Sequence, residues 1–290
     1  MMVMPPKVLV TGATGNIGYD VVKDLLKKRV AVKAAVRDVQ RDSSRFKGLE
    51  VEVVPFDFLK PDTFEPALED VDRLFLMRPP KLAKPQTEMK PFFRVLKKDV
   101  ISQIVFVSLM GVEKNPVVPH RKIENMIKAS KIPFTFLRPG FFMQNLNTTH
   151  REDIAIRNEL FIPVGRAKTS FIDTRDIAAV AAVCLSSEGH LGKSYTLTGA
   201  KAFNYYEIAD ILSNILGRKI EYKNPSLLQF RRTIIRRGIP EEFANVMTML
   251  YFITRLGTAE KVTTDVKNIL GRDPISFEQY AMDFQSFWNE

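Results

Sequence analysis

The sequence predicts an α/β fold: a doubly wound parallel sheet with helices on both faces, followed by a smaller C-terminal α+β lobe. Three observations carry this expectation. Short apolar runs alternate with amphipathic helical stretches from Lys7 to Leu137. A turn with three glycines, Gly12-Ala13-Thr14-Gly15-Asn16-Ile17-Gly18, joins the first run to the first helix. Beyond Arg138-Pro139-Gly140 the alternation loosens and the chain reads as mainly helical.

The elements follow in order. Lys7 to Val10 is a short apolar run ending at glycine, a first strand. Ile17, Val21, Val22, Leu25 and Leu26 recur at helical spacing with charges between them, an amphipathic helix. Ala31 to Val36 is a second strand. Leu49, Val51 and Val53, running on to Pro55, alternate as a third. Phe64, Ala67, Leu68 and Val71 suggest a short helix, and Leu74 to Met77 a fourth strand stopped by Pro79-Pro80. A helix is expected in Glu88 to Val100, with Pro91 tolerated in its first turn. Ile104 to Val107 is strand five, Ile123, Met126 and Ile127 mark a helix, and Phe134 to Leu137 is strand six. Later, Asn204 with Glu207 three residues on has a capping-box arrangement, opening a helix that Gly217 ends. Lys219 to Tyr222 reads as a further strand. The expected domains are residues 1–150, with a return segment near 165–200, and a substrate lobe of residues 151–290 covering the open edge of the first.

Composition narrows the classes. The chain is 45% hydrophobic and 26% charged, the balance of an ordinary globular protein with a core. No segment is long and apolar enough to span a bilayer. Met1 to Lys7 has no long apolar run with a cleavage site, so no leader is expected, and a cytoplasmic location follows as the default. The single cysteine, Cys184, rules out an internal disulfide and a cysteine metal site. It lies in the apolar run Ile177 to Leu185 and reads as a core residue; no metal site is expected. The net charge of +10 favours anionic partners such as phosphorylated cofactors or acidic substrates. Arg231, Arg232, Arg236 and Arg237 are spaced to share a helix face, but no nucleic-acid-binding signature accompanies them.

The glycine turn carries the most chemistry. Strand, glycine turn and helix form the Rossmann arrangement that holds a dinucleotide pyrophosphate on backbone N–H groups and a helix N-terminus. Gly12 permits the tight turn, Gly15 the close approach and Gly18 the packing of helix on strand. Thr14, Asn16 and Ile17 complete the contacts. The end of strand two decides the ribose: an acid there suits NAD, a base suits the 2′-phosphate of NADP. The chain reads Val36-Arg37-Asp38, so Arg37 favours NADP while Asp38 keeps NAD open. Asp57 and Phe58, after strand three, are candidates to hold the adenine. Met77, Arg78 and Pro79 after strand four, Ser108 after strand five, and Pro139 and Gly140 after strand six stand at the carboxyl ends of strands, where ligands bind in open α/β sheets.

Together with Ile132-Pro133-Phe134-Thr135-Phe136-Leu137-Arg138-Pro139 and Phe171-Ile172-Asp173-Thr174-Arg175-Asp176-Ile177-Ala178, these residues resemble the NmrA-like branch of the atypical short-chain dehydrogenases/reductases. That branch includes triphenylmethane reductases, type 2 NADPH quinone oxidoreductases, isoflavone-type reductases and NmrA, a dinucleotide-binding regulator. The resemblance implies NAD(P) binding and a small substrate lobe.

Typical members of the wider superfamily use Ser with Tyr-x-x-x-Lys. Ser108 matches the serine. The sole Tyr-x-x-x-Lys, Tyr19 to Lys23, lies on the first helix and is rejected as a chance match. His120 and Glu124, one turn apart on the later helix, stand where that pair belongs; His120 is a candidate general acid. Phe141, Phe142 and Met143 form a candidate apolar wall against a substrate, and Asn145 a polar anchor. The leading expectation is an NAD(P)H-dependent reductase, using NADPH, of a small electrophile such as a quinone or dye. The alternatives are a non-catalytic sensor with a protein partner and, behind it, a nucleoside-diphosphate-sugar epimerase or dehydratase.

Overall fold

The computed structural model describes residues 6–289. The leader reading of Met1 to Pro5 lies outside the described residues. Twelve strands occur among them: β1 Lys7–Val10, β2 Ala31–Val36, β3 Glu52–Pro55, β4 Arg73–Leu76, β5 Gln103–Val107, β6 Phe134–Pro139, β7 Phe141–Phe142, β8 Glu159–Phe161, β9 Thr169–Ile172, β10 Lys193–Leu197, β11 Ala202–Phe203 and β12 Glu221–Lys223.

The chain divides into two compact units. The first runs to Pro139 and takes in Thr174–Leu197 and Asn268–Gly271. Its sheet has seven strands in the order β10-β6-β5-β4-β1-β2-β3, all parallel. Both faces are covered, so the strands are apolar along their length: Val8, Leu9 and Val10 are all buried, as is every residue of β5. The strand order reverses direction at β1 and β4, which creates the switch point of a doubly wound sheet.

Helix Asn16–Lys27 buries Ile17, Gly18, Val21, Val22 and Leu25, the stripe that the sequence periodicity marks. Helix Thr174–Ser186 lies against it in the same unit and is apolar on nearly all sides. Cys184 belongs to this helix; burial pushes its thiol up to about 12, so it behaves as a small core residue. The expected helix over Glu88 to Val100 is instead two short pieces, Pro85–Glu88 and Lys90–Val95. Pro91 sits in the first turn of the second and cannot donate back across the junction. That arrangement drops Phe92 into a cluster of rings with Phe56, Phe58 and Phe64.

The second unit comprises Gly140–Asp173, Thr198–Lys267 and the segment from Arg272 onward. It holds a three-stranded sheet, β11-β9-β7, and the parallel pair β12-β8. The division falls at Pro139 rather than at residue 150, because β7 leaves the main sheet and pairs with β9. Glycine makes that departure feasible: a Cβ on Gly140 would lie 2.5 Å from the Ser170 carbonyl oxygen. Helix Tyr205–Leu216 has the capping box, Asn204 accepting from Glu207 N and Glu207 accepting from Asn204 N, and ends at Gly217 in the left-handed region.

The arginine cluster on helix Leu227–Arg236 and just beyond it does not form one outward face. Arg237 is drawn to Asp153 at 2.7 Å and Glu159 at 3.0 Å, and lies over the Phe161 ring. Arg231 reaches Asn245 and Glu241. Arg232 and Arg236 face solvent, with no acidic partner among the described residues. Among the described residues no helix is long and apolar enough to cross a membrane.

Candidate functional site

The site is assembled at the β1/β4 switch point. Gly12 takes φ +65°, a left-handed conformation that turns the chain sharply off β1. Gly15 N–H closes the turn on the Gly12 carbonyl at 2.9 Å. Helix Asn16–Lys27 then starts with Gly15 as its N-cap and no capping side chain. Its first N–H groups therefore have no partner within the helix. Gly12, Gly15 and Asn16 are exposed, while Ala13 and Ile17 are buried. Such an uncapped terminus, with a helix dipole behind it, suits an anion.

Gly18 has a different task. A Cβ there would lie 2.2 Å from the Gly12 carbonyl oxygen, so only glycine lets the helix rest on the turn. Thr11 was not singled out in the sequence. Its buried hydroxyl donates to Phe75 O at 3.1 Å and accepts from Met77 N at 2.9 Å. It thus holds the β1 turn against the end of β4, where Met77 lies beside Gly12. A threonine ending a strand gives no sign of this, since its partners come from β4.

At the end of β2, Arg37 and Asp38 part company. Asp38 caps the short helix Val39–Asp42, accepting from Arg41 N at 3.0 Å. Arg37 is exposed, and no hydrogen bond or ion pair holds its guanidinium among the described residues. Asp42 is held below the usual carboxylate range, chiefly by its hydrogen bond to Arg41, with a more distant contribution from Arg37.

After β3, Asp57 accepts from Leu59 N at 3.0 Å in a local turn. The Phe58 ring is buried, edge-on to Phe56 and Phe92. The expectation that this ring faces a ligand is corrected: the cluster that also buries Phe64 takes it. Arg78 is also redirected. Its Nη1 donates to the carbonyls of Pro79, Pro80 and Leu82 at 2.8–3.1 Å, which shapes the loop after β4. Burial lowers its pKa, and its Nε has no partner among the described residues.

Ser108 ends β5. Its N–H donates to Leu137 O at 2.7 Å, but its buried hydroxyl has no partner among the described residues. An orphan hydroxyl at the carboxyl end of a central strand is available to a ligand. Pro139 ends β6, and its carbonyl accepts from Met110 N.

His120 lies in the first turn of helix Pro119–Ala129, stacked on Phe106. Burial first, and the charge of Arg78 second, push its pKa down to about 4. The ring is therefore neutral at pH 7. A neutral imidazole keeps one N–H donor and one acceptor. The Glu124 carboxylate is taken up by arginines. It is fully buried and accepts from Arg138 Nε at 3.0 Å and Nη2 at 2.9 Å, and from Arg121 at 3.3 Å. It is a structural counter-ion, which corrects its candidacy as a catalytic group.

The His120 shift has a stability consequence. Its folded pKa lies below the unfolded value of about 6.5, so folding favours the neutral ring. That stabilisation is fully present above about pH 6.5 and is lost as pH falls toward 4. His150, buried in the second unit with its Nε2 2.7 Å from Tyr251 Oη, is also pushed down to about 4 by burial and adds in the same sense. The thermal midpoint should fall between pH 6.5 and 4 and change less steeply in His120→Gln, as calorimetry would report. An unchanged pH slope in the variant would remove His120 from this effect.

Tyr19 and Lys23 are engaged on their own helix. Tyr19 packs on Phe46 and under Arg45, and Lys23 pairs with Asp20 at 2.7 Å. In the second unit, Phe141 is half-buried against Phe171, Met143 is fully buried in the core, and Phe142 and Asn145 are half-buried. Met143 is therefore core rather than wall.

Comparison with known proteins agrees with this architecture. The profile of the NmrA-like family matches residues 4–281. The chain is 32% identical to Prestalk A differentiation protein A of Dictyostelium discoideum, over 95% of this chain and 91% of that one. It is also 32% identical to the NAD(P)H azoreductase of Xenophilus azovorans, over 94% and 96%. The fold matches the NADPH-dependent quinone oxidoreductase QOR2 of Escherichia coli, solved with NADPH, with a TM-score of 0.85 at 21% identity, covering 96% of this chain and 99% of that one. With most of its length matched by the family profile and two relatives above 30% identity, the chain belongs to the NmrA-like family.

Proposed function

We propose that this protein is an NADPH-dependent reductase of a small electrophilic compound, a quinone or a dye. One observation carries the cofactor choice: Arg37 is unpaired at the end of β2, while Asp38 is occupied by a helix cap. A guanidinium suits the 2′-phosphate of NADP. The pyrophosphate would rest on the Gly12–Gly18 turn and the uncapped start of helix Asn16–Lys27. The relatives with azoreductase and quinone reductase names support the reaction class.

Bound NADPH would supply the hydride; a quinone needs one proton besides, whereas a cationic dye is neutralised by the hydride alone. The protein residues orient and exclude more than they donate. His120 is neutral at working pH and Glu124 is occupied, so the proton comes from water, while Ser108 and the His120 N–H offer hydrogen bonds to a substrate oxygen or nitrogen. The same lack of a side-chain acid favours a second reading, a dinucleotide sensor without turnover.

A panel of quinones and dyes, followed by nicotinamide absorbance, separates the two. Turnover supports the reductase; tight NADPH binding without turnover supports the sensor. Arg37→Glu should weaken NADPH by about 2–3 kcal/mol, roughly 30- to 150-fold, the worth of charge-assisted hydrogen bonds, and leave NADH nearly unchanged. Equal losses for both cofactors, measured by titration calorimetry, would sink the phosphate role.

A further inference from the structure

The loop after β4 holds a cation that the reduction described above leaves unused. Arg78 makes all its hydrogen bonds through one nitrogen: Nη1 donates to the carbonyls of Pro79, Pro80 and Leu82. Leu82 anchors this loop in the core that also buries Phe106. The other edge of the guanidinium, Nε and Nη2, has no partner among the described residues, and Nε is shut off from water. A guanidinium stays charged at any working pH. Its free edge presents two parallel N–H groups, the fork that takes an oxygen anion.

Its neighbours place it at the reacting end of the site. β4 and β5 run in register with Leu76 beside Phe106, so Arg78 leaves its strand level with Ser108, whose buried hydroxyl lacks a partner among the described residues. His120, stacked on Phe106, feels the Arg78 charge. The acids nearby do not cancel that charge. Glu124 is bound by Arg138 and Arg121. Glu88, whose charge reaches Arg78, accepts from Lys84 N at 2.6 Å and forms no ion pair with Arg78 among the described residues. With the adenosine half directed by Arg37 to the β2 side of the switch point, the nicotinamide half falls on the β4–β5 side.

We propose that Arg78 selects the substrate by charge, favouring acceptors that turn anionic on taking the hydride and disfavouring cationic ones. The inference rests on the reductase reading above. A quinone that takes the hydride becomes a hydroquinone monoanion while the nicotinamide is oxidised; the anion then takes a proton from water and leaves hydroxide. The free edge of Arg78 meets the developing negative charge, so it stabilises the transition state more than the neutral quinone. A triarylmethane dye must approach the same guanidinium while still carrying its own positive charge.

Two measurements test this. In the complex with NADP+ no reductant is present, so para-nitrophenol can stand in for the hydroquinone anion. It should bind as the yellow phenolate at a pH where the free compound is mostly neutral. Arg78→Gln should weaken that preference for phenolate over phenol about 10-fold, and Arg78→Lys, which keeps the charge but not the fork, should retain most of it. In steady state with NADPH, Arg78→Gln should cut kcat/KM for a neutral quinone at least about 10-fold and raise it for a cationic triarylmethane dye. Equal losses on quinone and dye in both variants would make Arg78 a clamp on its loop and overturn the inference. So would a wild type that binds phenol as tightly as phenolate, or that reduces the dye faster than the quinone; these two outcomes need no variant to fold and leave the reductase reading standing. Absence of turnover with both compounds overturns the reductase reading, and the inference with it.

Discussion

A Gly18→Ala variant should lose NADPH binding by at least about 100-fold, near 3 kcal/mol, and also lose stability. The added carbon would lie 2.2 Å from the Gly12 carbonyl oxygen and 2.8 Å from its carbonyl carbon. Both are backbone atoms of the turn itself, so nothing flexible can yield. Alanine within a helix would ordinarily gain about 1 kcal/mol over glycine. Overpacking of this kind costs about 1–3 kcal/mol and sometimes more, so the clash should win. Gly12→Ala makes a useful comparison. There the methyl has room, 3.6 Å from Met77, and the penalty is the left-handed φ of +65°, about 1–2 kcal/mol. Gly15→Ala should be the mildest for folding, with ordinary φ and a 3.3 Å contact. Calorimetric titration with NADPH and thermal melts of the three variants would establish the order. A stabilised Gly18→Ala protein that still binds NADPH would refute the packing argument.

Glu124→Ala should lower stability by about 3 kcal/mol. Removing one partner of a buried ion pair costs about 3–5 kcal/mol, because the remaining charge stays out of water. The lower end applies here: Arg138 keeps some solvent contact and a second acid, Glu113, at 3.4 Å. Glu124→Gln retains an acceptor for the Arg138 fork and should cost less. Denaturant melts would measure both. If Glu124 instead took part in chemistry, turnover would collapse in a protein whose melting midpoint had not moved, and the structural assignment would fail.

The first strand, turn and helix were legible because their causes are local. Gly12 is needed for its own φ, and the spacing of Ile17, Val21, Val22 and Leu25 sets the buried stripe. The free Arg37 was half legible. Its position after β2 can be read from the chain, but the occupation of Asp38 by Arg41 N could not be separated from a ribose contact. Phe58 misled because a ring after a strand can face either way. Phe56, Phe64 and Phe92 decide that it faces in. His120 and Glu124 misled for a related reason. Helical spacing put them on one side, yet Arg138, fourteen residues further on, claims the carboxylate.

By itself, then, the sequence determined the alternation of strands and helices, the glycine turn and the basic residue after β2. Each depends on neighbours within a few residues, through backbone conformation and periodicity. Only the tertiary structure decided the protonation of His120, the pairing of Glu124, the inward turn of Phe58 and the free edge of Arg78. Those depend on desolvation and on charges brought close by the fold, and neither is written in the local order of residues.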